Sequence, residues 1–95
     1  MVYLISYDLN KNGQKYDDLY ALIEEVSNGD NVHLMQSSWA IKSTQTVTEI
    51  FNILDAALDE NDLLLITELT KNHFGRLTED DWSKLNDLFA SPGFW

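Results

Sequence analysis

The sequence predicts an α+β domain: an antiparallel sheet ordered strand, helix, strand, strand, helix, strand, with one more helix appended. Three observations carry this. β-branched and aromatic runs alternate with segments of helical period. The one proline lies at position 92, so no periodic segment is interrupted. No repeat, low-complexity tract or long linker divides the 95 residues, which suit a single domain over 1–95.

The first strand is Val2-Tyr3-Leu4-Ile5-Ser6-Tyr7, ending in Asp8 and followed by a polar loop through Asn12-Gly13. Tyr16, Leu19, Ile23 and Val26 then recur at helical spacing, with Asp17, Asp18, Glu24 and Glu25 on the other side. Ser27-Asn28-Gly29-Asp30-Asn31 stops that helix. Residues 33–43 are strand-like but long for one strand, and Gln36-Ser37 marks a bend between two short ones. Thr46-Val47-Thr48-Glu49 has the form of a capping box, worth about 1 kcal/mol. Val47, Ile50, Leu54 and Leu58 form the buried stripe of the helix it opens. Asp62-Leu63-Leu64-Leu65-Ile66-Thr67 is continuously apolar at its centre and is expected to be an interior strand covered on both faces. A last helix starts at Thr78, with Asp81 three residues on, and turns Trp82, Leu85 and Phe89 inward before Ser91-Pro92-Gly93 ends it.

This order is the ferredoxin-like βαββαβ plan with an additional C-terminal helix, and the two most apolar strands, first and last, are expected at its centre. Reading 33–43 as one strand would leave only three strands, small for a stable sheet. Strand one carries Tyr3, Ile5 and Tyr7 on one face and Val2 and Leu4 on the other, so the face without the crossover helices also needs cover. The C-terminal helix with its Phe94-Trp95 tail, or a second copy in a two-fold dimer, would supply it. The expected interface residues are Tyr3, Ile5, Phe94 and Trp95.

Composition narrows the function. There is no cysteine, which excludes disulfides, thiolate zinc sites and cysteine nucleophiles and points to a reducing compartment. No basic n-region precedes the apolar start, and no window approaches the ~18 apolar residues of a membrane span, so a cytoplasmic protein is expected. Six Lys+Arg against sixteen Asp+Glu give a net charge of −10. That balance opposes binding duplex DNA through a broad basic surface.

Two stretches, Tyr3-Leu4-Ile5-Ser6-Tyr7-Asp8-Leu9-Asn10 and His33-Leu34-Met35-Gln36-Ser37-Ser38-Trp39-Ala40-Ile41, resemble a known family. With Glu60-Asn61-Asp62-Leu63-Leu64-Leu65-Ile66 and the Gly75-to-Leu85 segment around Trp82, they look like the SinR-like family of small bacterial and phage proteins. That family stands near the small CRISPR-associated adaptation protein and the VapD toxins, and is distinct from the biofilm repressor of similar name. The resemblance implies a ferredoxin-like protomer in a face-to-face homodimer, with an acidic residue at the end of strand one near the axis. In the better-known relatives that residue is tied to metal-dependent cleavage of RNA or DNA, and Asp8 matches it. Family members usually carry an aspartate where Gln36 stands, so a second acidic ligand is missing from that place. The charge of −10 departs from the basic, DNA-holding surface of the adaptation proteins.

Each candidate residue has a chemical and a plain structural reading. Asp8, from each half of a dimer, could share Mg²⁺ or Mn²⁺ and activate water for phosphodiester attack, or it caps the following loop. Ser6 shares its face by strand alternation and either orients that carboxylate or satisfies its own hydroxyl. Ser37 and Ser38 lie at the bend, where the family reading brings them toward Asp8 and turn chemistry alone would also place them. Asn10 and Lys11 could hold a phosphate or form a solvated turn, and the loop lacks the GxxxxGK[ST] spacing of a nucleotide cradle. His33 and His73 titrate near neutrality when unperturbed and could serve as general acid or base, or be structural. Asp17-Asp18 and Glu79-Asp80-Asp81 are read as helix-opening charges, with a DNA-mimicking face as the alternative.

Three functions therefore compete. The first is a dimeric metal-dependent endoribonuclease with catalytic Asp8, Ser6 and Ser38 and substrate contacts from Asn10, Lys11, His33 and Ser37. The others are a non-enzymatic module that docks a protein partner and an acidic inhibitor that imitates DNA.

Overall fold

The structure, a computed structural model, describes residues 1–10 and 13–90, with side chains for 1–10 and 15–90. Four strands, β1 (Val2–Asp8), β2 (Asn31–Met35), β3 (Ser38–Lys42) and β4 (Leu63–Glu68), alternate with helices α1 (Gly13–Ser27), α2 (Val47–Leu54) and α3 (Glu79–Ala90). The sheet is antiparallel throughout in the order β2-β3-β1-β4, the ferredoxin-like α+β arrangement. Among the described residues no helix is long and apolar enough to cross a membrane.

The centre of the sheet differs from expectation. β1 and β3 are the inner strands, and β4 is an edge. The reason is visible in β3, whose Trp39, Ala40 and Ile41 are all buried, so this short strand has cover on both faces. In β4 Leu63 and Leu65 are each 65% exposed, which corrects the reading of that run as an interior strand. Continuous apolarity reports burial only where both faces have a neighbouring layer.

One face of the sheet carries α1 and α2. Tyr3, Ile5, Tyr7, Trp39 and Ile41 pack there against Leu19, Ile23, Val26, Ile50 and Leu54. Tyr3 and Ile5, expected at an interface, are thus enclosed by the chain's own helices and have no surface for a partner. The phenol of Tyr3 donates to the Gln45 carbonyl at 2.6 Å, and Trp39 Nε1 donates to the Tyr7 oxygen at 3.0 Å. These bonds let large polar-tipped rings be buried without an orphaned group.

On the other face α3 packs mainly over β2 and β3. Leu85 and Leu88 meet Val2, Val32 and Ala40, with Leu34, Leu69, Leu77, Trp82 and Phe89 at the margin. The C-terminal helix is therefore the cover for this half of the face. Phe94 and Trp95 lie outside the described residues.

Local signals account for the helix ends. The capping box is formed, with Glu49 N–H donating to Thr46 Oγ1 at 3.1 Å and Thr46 N–H to Glu49 Oε1 at 2.9 Å. Ile50 and Leu54 are buried, but Val47, expected in the stripe, is 40% exposed because it faces the free edge of β4. α1 starts at Gly13, so Asp17 and Asp18 sit in its second turn and do not open it. It ends in a Schellman motif: Gly29 N–H donates to the Glu24 carbonyl and Asn28 N–H to that of Glu25. Asn28 and Gly29 take φ of 51° and 84°, which asparagine's short polar side chain and glycine's lack of a Cβ allow.

Candidate functional site

The second sheet face is left open where β1 ends beside β4. The ladder sets its rows. Ser6 pairs with Ser38 on one side and Leu65 on the other, and Asp8 pairs with Leu63. By the period of two, Ser6, Asp8, Ser38, Leu63 and Leu65 all project to this face. Ser6 Oγ lies 3.4 Å from Ser38 Oγ, so the two hydroxyls satisfy each other. Ser38 is thus on the same face as Asp8, paired with Ser6 rather than with Asp8 itself.

Asp8 is exposed, and among the described residues its carboxylate takes part in no hydrogen bond or ion pair. Among the described residues the loop is held by Asp62, whose carboxylate accepts from Asn10 N–H at 2.9 Å, from Asp59 N–H at 2.8 Å and from Lys15 Nζ at 2.7 Å. Asp62 is held down to about 2 by the Asp59 N–H first, then by Lys15 and by the Asn10 N–H. Lys15 also reaches Asp59 at 2.6 Å. Burial lowers the lysine's pKa, but the two carboxylates outweigh it and the net shift is upward.

This cluster decides the role of Asn10. Its Nδ2 donates to the Asn61 carbonyl at 2.8 Å, so both its amides tie the loop after β1 to the turn before β4 rather than reaching toward a substrate. Lys11 lies outside the described residues.

His33 stands away from Asp8. It shares the helix-bearing face, stacked on Trp39 at 4.3 Å and 9° and meeting the Tyr20 ring edge at 5.2 Å. With the sheet between them, it cannot act as acid or base at the Asp8 carboxylate. Ser37 is an exposed turn residue whose carbonyl accepts from Tyr7 N–H at 3.1 Å. His73 is half-buried, stacked against Phe89 at 5.3 Å, and its Nδ1 lies 2.6 Å from the Thr70 carbonyl.

Of the predicted site residues, the fold brings together Asp8, Ser6 and Ser38. It does not join Asn10, His33 or Ser37 to them. No group of three or more His, Asp or Glu side chains able to hold a metal occurs among the described residues. A hard cation prefers several oxygens, and among the described residues Asp8 is not joined by two further acidic or histidine side chains.

Two features escaped the sequence. The Lys15–Asp59–Asp62 cluster joins residues far apart in the chain, and no local spacing marks it. A groove of about 290 Å³ between the sheet, α3 and the 69–77 segment is lined by Leu34, Met35, Trp82 and Arg76 and flanked by Phe74, which is 98% exposed. The only signal for it was the aperiodic stretch before Thr78.

No protein-family model matches the chain, and no curated protein does.

Proposed function

We propose that the protein is a homodimer of the SinR-like kind and a metal-dependent endoribonuclease, its copies meeting across the open end of the second sheet face. One observation carries this reading. Asp8 is an exposed carboxylate without a partner among the described residues, flanked by leucines that are 65% exposed. Exposed leucines around a polar centre are the surface two copies would bury, and the two-fold operation would bring a second Asp8 to the same centre. The resemblance of Tyr3-to-Asn10 to the family's first motif agrees with it.

In this reading the two Asp8 carboxylates hold Mg²⁺ or Mn²⁺, which would supply Lewis acidity to a phosphodiester oxygen and to the attacking water. Ser6 and Ser38 position that carboxylate pair by closing the floor of the site. A single strand of RNA is the substrate that the charge of −10 opposes least, since a duplex presents more phosphate to repel. A cytoplasmic setting goes with the absence of cysteine.

Sedimentation with and without Mn²⁺, together with cleavage of a labelled single-stranded RNA, tests the proposal. The expected result is a dimer whose Mn²⁺-dependent cleavage falls at least about a hundredfold in Asp8→Asn while the dimer persists. Cleavage that is equal in Asp8→Asn, or a monomer at all concentrations, defeats it.

A second reading, a non-enzymatic interaction module, is favoured by Phe74. A fully exposed aromatic side chain beside an apolar groove has the character of a protein-docking anchor. Binding of a partner that survives Asp8→Asn and is lost in Phe74→Ala would select it.

A further inference from the structure

We infer that the outer edge of β4 receives an extended, basic segment of another protein, which adds to the sheet as a fifth strand.

The backbone supplies the first argument. Leu69 N–H donates to the Val2 carbonyl at 2.8 Å, and Tyr7 N–H donates toward β3 at the Ser37 carbonyl. Peptide groups alternate in direction along an antiparallel strand, so Val2, Leu4, Ser6 and Asp8 point to β4, and Leu63, Leu65 and Thr67 return those bonds. The N–H and C=O groups of Leu64, Ile66 and Glu68 are directed outward. No described strand pairs with them.

Natural edges are commonly blunted by lysine, proline or a bulge. β4 has none of these between Leu63 and Thr67. Beside it, Val47, Thr48 and Phe51 of α2 form with Leu64, Leu65 and Ile66 a groove of about 260 Å³ that would take alternate side chains of an added strand. This groove lies on the helix side of the edge. The open face around Asp8 lies on the other side of the strand, and the two surfaces share Leu65.

Charge selects the occupant. Glu68 ends β4 and Glu49 lies in the first turn of α2, and after burial both contribute to raising the pKa of Tyr3, the residue paired with Glu68. Asp55, Asp59 and Glu60 stand at the other end of the edge, where Lys15 is engaged by Asp59 and Asp62. Lys42 is two strands further in, on β3. An apolar groove with carboxylates at both ends fits a strand of alternating apolar residues flanked by Lys or Arg. For a second β4, antiparallel pairing about Leu65 would bring Glu68 beside the acidic turn at Asp62 of the other copy, which disfavours that register.

The probe is a synthetic peptide of about nine residues, alternating Val and Thr with Lys-Arg at each end. It is compared with the same peptide carrying Glu-Glu ends. Binding is followed by fluorescence anisotropy, and amide exchange by NMR on the full chain. The basic peptide is expected to bind saturably, about tenfold or more weaker when salt rises from about 0.05 to 0.5 M. Amides of Leu64, Ile66 and Glu68 should become protected. The doubly exposed change Glu60→Lys with Glu68→Lys should weaken binding at least about tenfold. Asp8→Asn should leave it unaltered, so that failure of the nuclease reading and failure of this one are told apart. Equal binding of the acidic peptide, binding without protection of these three amides, or protection that grows with protein concentration in the absence of peptide overturns the inference. The last outcome would assign the edge to a second copy.

Discussion

The Lys15 ammonium lies 2.7 Å from the carboxylate of Asp62, whose side chain has no exposed surface, and this contact fastens the first helix to the turn before the edge strand. Together with the Asn10 and Asp59 amides it makes Asp62 the carboxylate on which the loop after β1 is built. Asp8, on the open sheet face at this end, has no part in that cluster among the described residues.

Asp62 should give the fold an acid limit. Its folded pKa, about 2, is below the ordinary 3.8, so its contribution is complete above about pH 4 and is lost as pH falls through 2. In urea titrations at descending pH, Asp62→Asn should be less stable at neutrality, and the difference from the parent should close toward pH 2. A constant difference at every pH would show that the carboxylate's charge is not what matters.

Ile5 should behave as a core residue. It has no exposed surface and packs among α1, α2 and the sheet, so Ile5→Ala should cost about 2–5 kcal/mol in urea unfolding. The loss should not depend on protein concentration. A variant that keeps its unfolding midpoint but changes oligomeric state would return Ile5 to an interface.

Alkaline pH should weaken the fold through two phenols. Burial raises Tyr7, as does its neighbour Tyr20, and burial followed by Glu68 and Glu49 raises Tyr3. The unfolded chain releases these protons near pH 10, before the folded one, so stability declines as pH rises above 10. Tyr7→Phe should make that decline shallower. At neutral pH the same change should cost about 1–3 kcal/mol, because Trp39 Nε1 loses its acceptor. Thermal melts of both proteins from neutrality to high pH would show the crossing.

The elements were legible because their signals are local. The capping box at Thr46, the bend at Gln36-Ser37 and the stop at Asn28-Gly29 each need only a few neighbouring residues to state them. The place of each strand was less legible. Leu63-to-Ile66 is more apolar than β3, yet β3 is the inner strand, since Trp39 and Ile41 serve one layer while Ala40 admits α3 closely on the other. At the candidate site, alternation alone placed Ser6 with Asp8. The exclusion of Asn10 and His33 depended on Asp62 and on the stacked Trp39, contacts set by the assembled sheet.

The strand at the middle of the sheet comes first in the chain, and its two neighbours come much later: Tyr3 meets Ile41 on one side and Glu68 on the other. During synthesis, one hydrogen-bonding edge of β1 would wait for β3 at residues 38–42 and the other for β4 at residues 63–68. Its greasy run of alternating rings and branched chains is therefore a segment that a chaperone, or a misplaced neighbour, would meet before the native fold could close around it.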